Sequence, residues 1–365
     1  MNRPVLLTVS GTIAPDVAAQ ITAGKRPRAD YLELARAFNA DLIDYAAARA
    51  ESGTFGKLLE KVGGPDLLLA WASFRRRNRY RAIFTDGEQI GIPLAGMLKL
   101  AGRGRLNARH LMIVHIISVP KKMIFLDRLG VQSHIDRFLV YATRQKEFIE
   151  QRWNIPPESV VFTPFMVDTR FFAPENVTPQ PTPQPLICAV GLEARDYPTL
   201  LSAVDSLPIQ VTIAAASPWS KRSDSTAGRT IPANVTVQRF SQYDLRQLYA
   251  DSRFVVMPLY DVEFQAGVTA ILEAMAMGKA VICTRTPGQT DVVVHGETGI
   301  YVPPGDAAAL REAIMYLVKN PREAERMGRS GQQRVEQFMS LDLYRARLAD
   351  LVDTEIRAVS PSVVI

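Results

Sequence analysis

The chain carries only two cysteines in 365 residues, Cys188 and Cys283. Both sit in apolar, strand-like runs, which suits buried free thiols in a reducing compartment and supplies no disulfide framework. No apolar run approaches the ~20 residues that a membrane-spanning helix needs. The opening apolar run, residues 4–9, is too short for a secretory signal, so the expected location is cytoplasmic. Basic residues are not interleaved with aromatics and no nucleic-acid motif is present, so no nucleic-acid partner is expected. Asp86-Gly87-Glu88 lacks the flanking hydrophobic strands that a metal-binding Asp-x-Asp pair would have.

What is present describes a large globular protein. Hydrophobic residues make up 47% of the chain, enough for two cores, and the length predicts two domains. Charge is uneven. Residues 1–173 hold 25 Lys and Arg against 16 Asp and Glu, a net of +9, while the remainder holds 18 against 21. An anionic membrane surface, nucleic acid or plain solubility would each account for a basic first half.

Strand and helix patterns alternate throughout, which predicts parallel α/β sheets. Strands are expected at residues 4–9, 41–45, 82–85, 111–116, 138–142 and 160–165, with a helix at 31–38 capped by Asp30. Gly11 ends the first strand beside a polar loop, 12–28. Residues 57–81 bring Leu58, Leu59, Leu67, Leu68, Leu69, Trp71 and Phe74 into Arg75, Arg76, Arg77 and Arg79, with Gly63-Gly64-Pro65 interrupting. Apolar residues running into an Arg cluster suit an interfacial helix on an anionic membrane, or a packed helix with a solvated end. Arg103, Arg105 and Arg109 add charge nearby. Asp86 and Glu88 follow a strand end, where ligands bind in such sheets, and are candidates to touch donor or acceptor; a turn-capping role serves Asp86 equally. Residues 173–185 (APENVTPQPTPQP) hold five prolines and read as a stiff linker.

The second half is organised around residues 265–283, QAGVTAILEAMAMGKAVIC. Gln265-Ala266-Gly267 opens a helix at Val268, Gly278 stops it, and residues 280–283 return as a buried strand. Glu273 is the odd residue. Its neighbours three and four positions away are Thr269, Ala270, Ala276 and Met277, so the helix is apolar nearly all round and its carboxylate needs a partner. A capping contact is one reading, ligand hydroxyls in a cleft the other.

The run LEAMAMGKAVICTRTPGQTDVVVHGETGIYVPPGD resembles the nucleotide-binding half of the retaining glycosyltransferases called group 1 or family four. The resemblance covers residues 186–340 well and 1–172 loosely. It implies an α/β fold of two Rossmann-like parallel-sheet domains facing a cleft, the GT-B architecture. Residues 1–172 would form the acceptor-side domain, 173–185 the linker and 186–340 the nucleotide-sugar domain. Residues 341–365 would form a helix returning to the first. It also implies hexosyl transfer from a nucleotide sugar, with retention of configuration and no required metal or cofactor. The acceptor would be a lipid, a glycan or a small molecule, reached at the cytoplasmic membrane face.

By the same resemblance Glu273 binds the ribose hydroxyls, and His115, after its apolar strand, reaches the donor sugar. Residues 191–204 look like the family's Gly-Arg…Lys turn. Leu192 stands at the Arg, and Arg195 takes the Lys place beside the diphosphate; alternatively Glu193 and Asp196 make it a structural ion-pair partner. Residues 235–239 and 244–250 resemble the base-reading segment, adding Arg239. Ala266, Gly267, Val268 and Thr269 would offer helix N-terminal amides to the donor. Lys221, Arg222 and Arg229 make the loop at 217–230 basic. The chief departure is Gln265, which replaces the family's first Glu with an uncharged amide; Glu263 is a possible substitute. Alternative readings are an epimerase on the same frame or a non-catalytic sugar- or lipid-binding relative.

Overall fold

The computed structural model describes residues 3–102, 108–215 and 230–358. Arg103, Arg105 and the basic loop with Lys221, Arg222 and Arg229 lie outside the described residues. The chain forms two compact units. One comprises the described parts of Met1–Ala18, Arg28–Thr163 and Leu343–Ile365, the other Ala19–Pro27 and Pro164–Asp342.

In the first unit the strands are β1 (Val5–Thr8), β2 (Ala40–Ile43), β3 (Ala82–Thr85), β4 (Arg109–Val114), β5 (Arg137–Val140) and β6 (Val160–Phe162). Between them in the chain run α1 (Val17–Thr22), which from Ala19 on is assigned to the second unit, then α2 (Asp30–Ala37), α3 (Tyr45–Glu51), α4 (Gly53–Arg76), α5 (Glu88–Ala101), α6 (Pro120–Leu129) and α7 (Thr143–Trp153). The sheet is parallel with order β2-β1-β3-β4-β5-β6. β1 and β3 are buried at every residue, as expected of parallel strands covered on both faces. Asp30 does not cap α2: Ala29 occupies the cap, and Asp30 is the first helical residue. α4 is kinked at Gly64, whose φ of 75° is closed to most side chains, just ahead of Pro65.

In the second unit the strands are β7 (Leu186–Val190), β8 (Gln210–Ala214), β9 (Val235–Gln238), β10 (Phe254–Met257), β11 (Ala280–Thr284) and β12 (Gly299–Val302). The helices are α8 (Tyr197–Val204), α9 (Gln242–Asp251), α10 (Val268–Ala276), α11 (Ala307–Lys319) and α12 (Pro321–Phe338); α13 (Leu341–Ala358) follows them in the chain. The sheet is again parallel, ordered β12-β11-β10-β7-β8-β9. Alternation along β10 splits the core. Val255 and Met257 join Ile271, Met275 and Tyr249 on one face, whereas Phe254 and Val256 join Leu200, Ile314 and Leu317 on the other.

The division falls at Thr163/Pro164, ahead of the proline-rich segment expected to mark it. Val167, Phe171 and Phe172 are buried in the second unit's core, so the segment preceding the prolines already belongs there. From Leu343 onward α13 belongs to the first unit. There the Tyr344 hydroxyl bonds that of Tyr141 at 3.0 Å, and buried Glu355 pairs with Arg137 at 2.7 Å.

Candidate functional site

α10 begins at Gly267, whose φ of 78° needs glycine and whose missing side chain leaves the first-turn amides uncapped. It ends at Gly278, also left-handed, with Lys279 N–H returning to Ala274 O. Between them the helix is buried from Ala270 to Ala276. Glu273 is only 6% exposed, and its Oε2 accepts from the Tyr249 hydroxyl at 2.9 Å. Burial pushes this carboxyl up to about 7, against the opposing pull of the Tyr249 bond.

Arg195 lies beside the same helix end. Its Nε donates to Val190 O at 2.8 Å and its Nη1 to Glu193 O at 2.6 Å. A Cβ on Gly191 would sit 2.5 Å from Arg195 Nη2, and one on Gly267 3.2 Å from Nη1. The guanidinium is thus buried between the turn after β7 and the start of α10, two places where glycine makes room. Burial lowers its pKa, but a guanidinium keeps its proton. Asp196 is committed elsewhere, capping α8 through Thr199 N and Thr199 Oγ1. Leu192, where the resemblance expects an Arg, packs against the apolar cluster beneath.

Gln265 precedes this helix with Nε2 and Oε1 both buried and without a partner among the described residues. Facing its loop is the turn 286–289. Gly288 packs so closely on the backbone of Phe264 that a Cβ would meet it at 2.3 Å. Gln289, 0% exposed, donates Nε2 to Ala266 O at 2.6 Å and leaves Oε1 unpartnered; Thr286 Oγ1 is buried and unpartnered too. Buried polar groups are normally bonded, so several orphaned ones on two adjoining loops mark a place that suits a polar ligand. Sequence reasoning missed Tyr249, Thr286 and Gln289, because their partners lie far along the chain or in turns of unremarkable composition.

Other expected donor residues divide. The Ala266 amide is not free, because it donates to Phe264 O at 2.8 Å. Val268 is buried and Thr269 exposed. Arg239 is exposed beyond the end of β9, three strands from β10 and so about 14 Å across the sheet. It does not join the Arg195–Gly267 cluster.

In the first unit the carboxyl ends of β1, β3, β4 and β5 are followed by Ser10-Gly11, Asp86, His115 and Tyr141. Thr8 Oγ1 accepts from Asp86 N at 3.0 Å, and Ser10 Oγ donates to Asp86 O. Space above Gly11 is open. His115 Nε2 lies 3.5 Å from Asp86 Oδ1, with side chains 40% and 33% exposed. Burial opposes charge on His115, but Asp86, Glu88 and Asp30 outweigh it and raise its pKa. Asp30, raised to about 6 by burial and then by Asp86, completes an acidic surround that the sequence did not reveal.

One expectation is corrected. Glu88 does not face a ligand. It is 1% exposed, and its carboxylate accepts from His115 N at 2.8 Å, Ile116 N at 3.0 Å and Lys122 Nζ at 2.5 Å, fixing the loop that carries His115. In the Arg cluster at the end of α4, Arg76 pairs with Glu51, and Arg77 stacks 3.8 Å over Phe74, itself stacked on Trp71. Arg75 and Arg79 stay exposed. The exposed apolar residues of α4 lie earlier, at Phe55, Leu58 and Val62, with Lys57 and Lys61 exposed among them.

Residues 178–334 match the family described as glycosyl transferases group 1. The D-rhamnosyltransferase WbpZ of Pseudomonas aeruginosa is 31% identical over 143 residues, 39% of this chain and 37% of that protein. The chain therefore matches little more than a third of that relative's length. The fold is shared more widely. Sucrose-phosphate synthase from Thermosynechococcus elongatus superposes with a TM-score of 0.70 at 17% identity, covering 98% of this chain and 100% of that one. HepE of Anabaena, in complex with UDP-glucose, gives 0.69 at 13% identity, covering 96% and 99%. The architecture is the GT-B fold, and within the second unit residues 178–334 match the group 1 glycosyltransferase family.

Proposed function

We propose that the protein transfers a hexosyl group from a nucleoside-diphosphate sugar to a hydroxyl of a lipid-linked, glycan or small-molecule acceptor, with retention of configuration. The observation that carries this reading is the uncapped start of α10 beside the buried guanidinium of Arg195, in the unit that matches the family. Positive charge and helix-end amides in a dry site favour a diphosphate, above all as it gains charge on leaving. Glu273, further along α10, takes the ribose hydroxyls. The orphaned amide of Gln265, Oε1 of Gln289 and the Thr286 hydroxyl take hydroxyls of the sugar. The bond from the anomeric carbon to the diphosphate breaks, a bond to the acceptor oxygen forms, and the acceptor proton is released. In the first unit, Glu88 and Asp86 hold His115 at the end of β4, where its imidazole suits bonding to a hydroxyl. Arg195 and the helix end neutralise the leaving group, so the scheme includes no metal.

The names of relatives support a sugar donor: one is a rhamnosyltransferase, and a structural neighbour holds UDP-glucose. The exposed Phe55-Leu58-Val62 face of α4 with Lys57 and Lys61 supports action at an anionic membrane face in the cytoplasm. The test is release of nucleoside diphosphate from UDP-, GDP- and ADP-sugars, with a membrane extract as acceptor source. Release by the wild type, reduced about 100-fold or more in Arg195→Met, supports the proposal. No release from any of these donors contradicts it.

A further inference from the structure

Glu273 has two carboxylate oxygens and the protein uses one. Oε2 takes the Tyr249 hydroxyl at 2.9 Å, and Oε1 has no hydrogen-bond partner among the described residues. Tyr249 itself is fully buried on α9, and its ring packs edge-on against Phe172 with centroids 6.1 Å apart. Its hydroxyl is held in place by the core, and it aims at one oxygen only. We propose that Tyr249 is the positioning residue for nucleotide binding: it orients the Glu273 carboxylate and favours its charged form, leaving Oε1 to accept from ribose. This rests on the reading of Glu273 as the ribose-binding residue.

The chemistry follows from burial. A carboxylate buried on a helix that is itself buried from Ala270 to Ala276 is driven toward its neutral form, and this one reaches about 7. The neutral acid accepts poorly from two ribose hydroxyls; the anion accepts well. The Tyr249 bond is the single interaction that favours the anion. Arg195 and Cys188 bear on Tyr249 rather than on Glu273, and Tyr249 stays protonated because burial, then Glu273, push its own pKa well up. The hydroxyl therefore remains a donor throughout the neutral range, and Glu273 is the group that titrates there.

The test is calorimetric titration with UDP and, separately, GDP, from about pH 6 to about pH 9, comparing wild type with Tyr249→Phe. Taking the ratio of the two dissociation constants at each pH cancels ionisation of the ligand. The expected result is a five- to tenfold loss of affinity near pH 7 that shrinks to under about twofold near pH 9, because the binding midpoint has moved up by roughly one pH unit. Fluorination of the ring at Tyr249 makes the phenol a stronger donor and should move the midpoint down, which covers the case of a poorly folding Phe variant. Equal affinities at every pH, or a uniform loss at every pH, would overturn the proposal, the latter because it reports distorted packing alone. Failure of wild type to bind either nucleotide would instead overturn the nucleotide reading itself. Binding lost in Glu273→Ala but unchanged in Tyr249→Phe would overturn only the role of Tyr249.

Discussion

Glu273 is kept in the core at a cost to stability. Its carboxyl is raised to about 7 in the fold from an ordinary 4.5. Between those values the unfolded chain has released a proton that the folded protein still holds. The folded state therefore loses stability as pH rises from about 4.5 to about 7, and the loss is complete above that. Glu273→Gln removes the titration while keeping an acceptor for Tyr249. Chemical denaturation of the free protein at pH 8 should find this variant more stable than wild type by about 2–3 kcal/mol, with the gap closing toward pH 5. A variant no more stable at pH 8 would show that the carboxylate has compensation not accounted for by Tyr249. The singularity of Glu273 was legible in the sequence, because its helical neighbours are apolar. Its partner was not, since Tyr249 lies 24 residues away on another helix and its hydroxyl leaves no mark on the helix pattern. Glu88 was misread for a related reason. A carboxylate at a strand end looks alike whether it faces a ligand or clamps the next loop's amides.

At the scale of elements, the site depends on how closely α12 approaches the end of α10. A Cβ on Gly328 would stand 1.9 Å from Gly278 O and 2.7 Å from its carbonyl carbon, so backbone rests on backbone there. Gly331, one turn on, meets Met275. Gly328→Ala must push α12 off the turn that closes α10, and urea denaturation should show a loss of about 2–4 kcal/mol. Gly331→Ala, whose added carbon meets only the flexible Met275 at 3.3 Å, should cost clearly less. Equal costs would mean the contact with Gly278 yields easily. The buried strands were legible as short apolar runs. What the sequence could not show is which glycines make room for neighbours. The interruption read at Gly63-Gly64-Pro65 is there: the backbone leaves helical geometry at Gly64, and proline is tolerated just after it because the preceding turn is already broken.

At the scale of the whole molecule, the basic excess resides in residues 1–173. Among the described residues no helix is long and apolar enough to cross a membrane. The candidate for membrane contact is a surface, the exposed face of α4. Phe55, Leu58 and Val62 lie on one side of that helix, at spacings of three and four. Vesicles containing anionic lipid should float the wild type, and much less of a Phe55/Leu58/Val62→Ser variant or a Lys57/Lys61→Glu variant. Equal flotation of all three would contradict the membrane reading. Two parallel-sheet units were legible from strand and helix alternation. Their boundary was displaced because the proline run is conspicuous, whereas the anchoring of Val167, Phe171 and Phe172 in the second core is visible only in three dimensions.

The central claim is that the Arg195–Gly267–Glu273 region binds a nucleoside diphosphate. A thermal-shift screen of UDP, GDP, ADP and their sugar conjugates tests it most directly, with Glu273→Ala beside the wild type. A nucleotide present at a hundred times its dissociation constant adds about 2.7 kcal/mol. The account predicts that at least one nucleotide raises the melting temperature of wild type by several degrees and leaves Glu273→Ala unmoved. No shift with any nucleotide, or the same shift in both proteins, would contradict it.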